Sequence, residues 1–309
     1  MKTGLLRLPE LGRENIEWIF KTAARLKREK AAGVPHRLLE GKTLGMLFNK
    51  SSTRTRISFE VGMFQLGGHA VVLSGQQLQM GRGETVADTA RVFSRYLDGI
   101  VVRTFGQEEV EELAAHASIP VINALTDEHH PCQILTDMFT IIEKRGSLDG
   151  VKVAYVGDGN NIAHSWLLGA AMMGLSISIG CPQTYSPSSA IVAEAEAIAA
   201  KTGGKVVITH DPMIAAKDAH VLYTDTWISM GQDEEAEERR TAFSGFCIDG
   251  KLLGHARKDA LVMHCLPAHR GEEVTGEVID GPNSVVWDQA ENRLHTQKAI
   301  LVMLMAAGA

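Results

Sequence analysis

Short continuous apolar runs alternate along this chain with longer stretches whose apolar residues return every three or four positions. In 13–32 the spacing of Ile16, Ile19, Phe20, Ala23 and Leu26 predicts an amphipathic helix. "TLGMLF" (43–48) reads as a strand and leads into a helix over 53–66 that stops at Gly67-Gly68. "HAVVL" (69–73) precedes a helix opening near Glu84, and "GIVVR" (99–103) precedes one over 107–117. "PVINA" (120–124) leads to a long helix from Pro131 to Lys144, with proline well placed in its first turn. After "RGSLDG" the alternation restarts with "VKVAYVG" (151–157), a helix over 162–173, "LSISIG" (175–180) and a helix over 188–202. "KVVITH" (205–210), a short helix and "HVLYT" (220–224) follow; "LVMHC" (261–265) and "SVVW" (284–287) read as late strands before a terminal helix over 288–307.

Strands that are apolar throughout, alternating with helices, predict parallel sheets covered on both faces. The fold class is therefore α/β. At 309 residues the chain is long for one domain and comfortable for two of about 150. The restart after residue 146 places the boundary, giving a first domain over 1–146 and a second over 147–290. With 45% hydrophobic and 22% charged residues the chain resembles an ordinary globular protein. A net charge of −6 argues against nucleic-acid or anionic-membrane surfaces, so any bound anion must be small and met by a local pocket. The first residues lack the apolar core of a signal peptide, no segment reaches 18 apolar residues, and Cys132, Cys181, Cys247 and Cys265 form no C-x-x-C pair. The expectation is a cytoplasmic protein with no zinc site and no disulfide framework.

Ligands of parallel sheets gather beyond the carboxyl ends of the strands. That rule makes neighbours of "SSTRTR", Arg103, "HHPCQ", "GDGNN", "DTWISMG" and "HCLPAHRG", and predicts a cleft between the domains. "SSTRTR" has two readings. A helix cap needs one hydroxyl and no arginine; an anion cradle uses helix N–H groups, hydroxyls and guanidinium forks together. "GDGNN" sits where a dinucleotide fingerprint would, but it lacks the third glycine and the acidic residue at the end of the next strand. Asn160-Asn161 at that helix start is both a cap candidate and a ligand contact. "GKT" (41–43) precedes its strand instead of following it, unlike a P-loop. His129, His130 and Cys132, like His264, Cys265 and His269, lack convincing metal-ligand spacing. A Cys265–His264 nucleophile pair is weakened because adjacent strand residues face opposite ways. The run "GQDEEAEERR" (231–240) reads as a solvated helix face.

"SSTRTR", "HPCQ", "DTWISMG" and "HCLPAHRGEEV", in this order and at these distances, resemble the carbamoyltransferase superfamily, and the last two resemble its ornithine carbamoyltransferases. The likeness runs essentially from end to end. It implies two α/β domains, carbamoyl-phosphate domain first and ornithine domain second, with the terminal helix (291–309) packing back on the first. It also implies a homotrimer or an assembly of trimers, and neither cofactor nor metal. By motif, Ser52, Thr53, Arg54 and Thr55 would hold the phosphate; Arg103, His130, Pro131, Cys132, Gln133 and Arg293 would surround the carbamoyl end. Gln79 would reach a neighbouring subunit's site; where some relatives carry a lysine, this chain has Gly83 beside Arg82. Asn161, Asp225, Ser229 and Met230 would hold ornithine, with Cys265 and Leu266 beside the reacting δ-amine and carbamoyl nitrogen. Leu266-Pro267 would be cis.

The implied reaction moves a carbamoyl group from phosphate to the δ-amine of L-ornithine, giving citrulline, and needs no covalent intermediate. Arg103, His130, Asp225 and Cys265 are its catalytic candidates. The δ-amine proton could pass to a Cys265 thiolate or to substrate phosphate, and the second domain would close over bound carbamoyl phosphate. Putrescine, an acylated ornithine or aspartate are rival acceptors, and Asp225 favours a free α-amino group. A non-catalytic binder and a nicotinamide oxidoreductase are the rivals from other classes.

Overall fold

The structure is a computed structural model and describes residues 4–50, 52–74, 83–229 and 231–306. The chain divides into two compact units, Met1–Phe139 with Glu291–Ala309, and Thr140–Ala290.

The first unit holds one parallel sheet of β1 (Gly4–Leu5), β2 (Thr43–Phe48), β3 (His69–Ser74), β4 (Gly99–Arg103) and β5 (Val121–Leu125) in the order β1-β5-β4-β2-β3. Ile100, Val101 and Val102 are all fully buried although successive strand residues point to opposite faces, so both faces of this sheet are covered. Its helices are α1 (Arg13–Ala31), α2 (Thr53–Gln65), α3 (Val86–Tyr96), α4 (Gln107–His116) and the larger part of α5 (Pro131–Arg145).

The second unit repeats the plan with β6 (Lys152–Val156), β7 (Ser176–Gly180), β8 (Lys205–Thr209), β9 (Val221–Thr224) and β10 (Leu261–His264), all parallel, in the order β10-β9-β6-β7-β8. Val153 to Val156 are consecutively buried. The helix α6 (Asn161–Met173) is apolar nearly all round, which suits a helix enclosed on every side. The remaining helices are α7 (Ser189–Thr202), α8 (Pro212–Ala216), α9 (Ala236–Ala242), α10 (Gly250–Leu253) and α11 (Gly276–Ile279).

The terminal helix, α12 (Val286–Met305), belongs to the first unit from Glu291 onward and packs back onto its sheet. Gly99 makes this possible: a Cβ there would lie 3.0 Å from Met305 Sδ, so the bare backbone of β4 admits the helix end.

Both sheets reverse their strand order once. In the first unit the chain runs from β2 outward to β3 and then returns to β4 on the other side of β2. In the second it runs from β6 through β7 to β8 and returns to β9 beside β6. A reversal leaves a crevice at the carboxyl ends of the two central strands. Those ends are Phe48 and Arg103 in one sheet and Val156 and Thr224 in the other.

The β-branched run "SVVW" departs from its expected strand. Val285 N bonds Val262 O at 3.0 Å, a brief pairing beside β10, after which Val286 and Trp287 already turn into α12. Packing overrides local β preference there.

Candidate active site

In the first unit, α2 starts directly beyond β2. Ser52 occupies its cap position in extended conformation, but its side chain makes no capping hydrogen bond. Thr53 and Arg54 are exposed on the first turn, and Thr55 is buried. The hydroxyls here exceed what the helix end uses. Arg103 closes β4 at a shift of register against β5 and is half-buried.

Pro131 opens α5, so His130 and Gln133 lie on either side of that helix start. His130 is buried, and burial together with the charges of Arg293 and Arg103 holds its imidazole well below its usual titration range. Arg293, buried on α12, donates from Nη2 to Thr55 Oγ1 at 3.1 Å and from Nη1 to Gln133 Oε1. Gln133 in turn donates from Nε2 to buried Asp137 Oδ1 at 2.7 Å, which fixes which end of its amide faces the guanidinium. Thus Thr55, Arg103, His130, Gln133 and Arg293 come together. Cys132 does not join them: its thiol turns to Asn123 O at 3.4 Å, and burial pushes it up to about 12.

In the second unit the register of β9 against β10 sets Thr224 beside His264, so Asp225 and Cys265 leave adjacent strand ends together. The Cys265 thiol donates to Asp225 Oδ1 at 2.9 Å, and Asn160 Nδ2 donates to Asp225 Oδ2 at 3.0 Å. Asn160 is the cap of α6, its Oδ1 accepting from Ile162 N and Ala163 N at 3.0 and 3.3 Å. The cap reading therefore belongs to Asn160, leaving Asn161 as the first helical residue. Tyr155 donates to Asn160 Oδ1 at 3.2 Å and is pushed well above its usual range by burial, then by Asp225 and Asp158. Ser229 is half-buried, its N–H donating to Gln232 Oε1 at 2.9 Å. Gln79, Met230 and Arg82 lie outside the described residues.

Cys265 and His264 separate. His264 Nδ1 accepts from Leu266 N at 2.8 Å, which places its proton on Nε2, directed at buried Glu273 Oε1 at 3.1 Å. Glu273 also accepts from His269 N at 2.5 Å, so it braces the whole "HCLPAH" turn. Leu266 has a left-handed φ of 61°, and the Leu266-Pro267 bond is cis. Ligand atoms of Asp225, His264 and Cys265 lie within 4.8 Å of one another, as do those of His269, Glu272 and Glu273. The bonds just described already engage the first set; in the second, Arg240 holds Glu272 at 3.2 Å and Thr226 holds His269 at 3.1 Å.

The charged run at 231–240 is not simply solvated. Its Arg239 is buried on α9, donating to Trp227 O at 2.6 Å and to Asp158, and lying 4.6 Å over the Tyr185 ring. Arg239 therefore ties the "DTWISMG" loop to the "GDGNN" loop. Burial raises Asp158 to about 6, Arg239 opposing and Asp225 adding to the rise. Phe243, four residues on, is the sequence clue that Arg239 shares an inward helix face. Glu273 offers no comparable clue, because it acts across a turn on His264 and His269, whereas Asp137 stands four residues from Gln133 on the same helix.

The family profile described as aspartate/ornithine carbamoyltransferase, carbamoyl-P binding domain, matches residues 4–143, and its Asp/Orn binding domain matches 149–304. A Thermococcus kodakarensis protein named ornithine carbamoyltransferase is 55% identical over 301 residues, covering 97% of this chain and 96% of its own length. One from Pyrococcus furiosus, named ornithine carbamoyltransferase, anabolic, is 56% identical over 301 residues, with 97% and 96% covered. The solved ornithine carbamoyltransferase structure from Pyrococcus furiosus superposes with a TM-score of 0.96 at 54% identity, covering 100% of this chain and 98% of that one.

Proposed function

Because this chain belongs to the aspartate/ornithine carbamoyltransferase family, we propose that it transfers the carbamoyl group of carbamoyl phosphate to the δ-amine of L-ornithine, giving L-citrulline and phosphate. The observation that carries the reading is the pair of polar sets, one at each strand reversal: Thr55, Arg103, His130, Gln133 and Arg293 in one unit, Asp225 and Cys265 in the other.

The leaving phosphate gains charge as its C–O bond breaks. Charge-assisted hydrogen bonds contribute roughly 1.5–3 kcal/mol each, so Arg54, Arg103, Arg293 and the hydroxyls of Ser52, Thr53 and Thr55 can supply a large share of the rate. The carbonyl oxygen becomes negative in the tetrahedral state, and Arg103, His130 and Thr55 form its oxyanion hole. His130, kept neutral by burial and two arginines, serves as an N–H donor instead of exchanging protons near neutral pH. Gln133 receives the carbamoyl nitrogen.

The amine must attack unprotonated. With a lysine-like pKa of about 10.4, roughly one molecule in 2,500 is neutral at pH 7, a cost of about 4.6 kcal/mol. Asp225 holds the α-amino group, with Asn161, Ser229 and the Met230 backbone on the amino-acid end. A Cys265 thiol that donates to Asp225 is occupied as a donor, so it positions the δ-amine, and phosphate takes the proton.

The same reading includes a homotrimer or an assembly of trimers, with Gln79 reaching a neighbouring subunit. It is supported by the exposed apolar face of α2, where Ile57, Val61 and Phe64 stand beside the edge strand β3. No helix among the described residues is long and apolar enough to cross a membrane. Four free cysteines suit a reducing cytoplasm, and the relative named anabolic favours the synthetic direction. The test is steady-state citrulline formation with each acceptor supplied in turn. Ornithine alone should turn over; putrescine turnover without ornithine turnover would overturn the assignment.

A further inference from the structure

The guanidinium of Arg293 is not held by Thr55 and Gln133 alone. One helical turn on, fully buried Gln297 shares the same face of α12. With its amide oxygen toward Arg293, Gln297 accepts from Nη2 at 2.9 Å and from Nε at 3.1 Å, while its Nε2 donates to Ser58 Oγ at 2.5 Å. The reverse orientation would set donor against donor. Ser58 completes the brace: its hydroxyl proton goes back to its own helix, with Arg54 O at 2.7 Å and Thr55 O at 3.1 Å, leaving its lone pairs for the amide. A line of hydrogen bonds thus runs from the first turn of α2 through Ser58 and Gln297 to the inner edge of Arg293.

We propose that Gln297 is a positioning residue for Arg293, fixing the guanidinium over Thr55 and Gln133 in the pose that receives phosphate. The inference rests on the function proposed above. Two physical consequences distinguish an amide from other side chains at this place. It orders a long, flexible arginine before substrate arrives, so binding does not have to. Being neutral, it satisfies two donors without cancelling the charge offered to the anion, as a carboxylate would.

The experiment uses the full-length protein and its Gln297→Glu, Gln297→Leu and Ser58→Ala variants. Inorganic phosphate binding is measured by calorimetry, citrulline formation by steady-state kinetics, and folding by thermal midpoint. Gln297→Glu should weaken phosphate about tenfold or more and raise the carbamoyl phosphate KM in parallel, with the ornithine KM at saturating carbamoyl phosphate nearly unchanged. Gln297→Leu should lower kcat about tenfold, and Ser58→Ala should weaken phosphate about threefold. A merely structural role would lower the thermal midpoint without separating the two substrates. Folded Gln297→Glu protein with wild-type phosphate affinity overturns the proposal; should neither Gln297 variant fold, unchanged phosphate affinity in Ser58→Ala overturns it. A wild-type chain that binds phosphate but makes no citrulline removes the proposed function, whereas the variants' phosphate affinities still decide the role of Gln297.

Discussion

Each unit holds a five-stranded parallel sheet whose strand order reverses once, and the two differ in the sign of the charge they gather at that reversal. Around β2 and β4 the buried bases are pressed down: His130 by burial and then by Arg293 and Arg103. Around β6 and β9 the buried acids are pressed up: Tyr155 and Asp158 by burial, with Asp225 adding to both. Two parallel sheets of different strand order thus share a reversal point and furnish it differently, one with cationic groups and one with acidic groups. What a parallel sheet supplies is a place; the residues on the loops decide what goes there.

That contrast can be broken most strongly at Arg293. Arg293→Leu removes a buried cation and two or more charge-assisted bonds, so kcat/KM for carbamoyl phosphate should fall about 10³-fold, roughly 4 kcal/mol. The ornithine-binding unit should be left as it is. A loss below about tenfold in a steady-state assay would mean the first unit's charge does not serve the phosphate.

Asp225→Asn is the matching change in the second unit. It should raise the ornithine KM about thirtyfold, near 2 kcal/mol, and leave carbamoyl phosphate affinity alone. Unchanged ornithine kinetics would show that another group holds the α-amino end.

Arg239→Met sharpens the comparison, since it leaves Asp225 in place but frees the loop that Arg239 pins at Trp227. The ornithine KM should rise about tenfold, and stability should fall by about 3 kcal/mol in urea unfolding because Asp158 loses its buried partner. Loss of stability with wild-type ornithine kinetics would confine Arg239 to a structural role.

The smallest effect concerns His295, on α12 in the cationic unit. Burial, then Lys298, Lys27, Lys30 and His36, depress it from 6.5 to about 3, against Glu291 at 3.5 Å. Its unfolded form takes up a proton below about pH 6.5 that the folded form refuses, so its contribution is complete above that pH and is lost as pH falls toward 3. Unfolding measured from pH 7 to 5.5 should show about 1.3 kcal/mol of lost stability from this group, absent in His295→Gln. Identical slopes in the two proteins would refute this.

Much of this contrast is legible in the sequence because it sits at strand ends. β2, β4 and β6 to β10 are apolar runs, and Ser52–Thr55, Arg103, Asp225 and Cys265 follow them directly. Three features were not readable. The two-residue β1 is too short for any period, and "SVVW" carries β-formers into a helix because Val285 pairs only briefly beside β10. The bracing residues act through bonds that only the fold reveals: Gln297 to Ser58 on α2, Glu273 to His264 at the end of β10, Asp137 to Gln133 within α5, and Arg239 to Trp227 and Asp158, its spacing to Phe243 being the one local hint. Arg239 lay hidden among the charges of a run in which Glu234, Glu235, Glu237, Glu238 and Arg240 are exposed.

The central claim is that the first unit's reversal point receives a phosphate while the second receives the amino acid. Crystals soaked in carbamoyl phosphate test it most directly. Density for the phosphate should lie within hydrogen-bond distance of the Thr53–Thr55 amides and of Arg103 or Arg293; density against the "GDGNN" loop and Asp225, with the α2 start empty, would contradict the account.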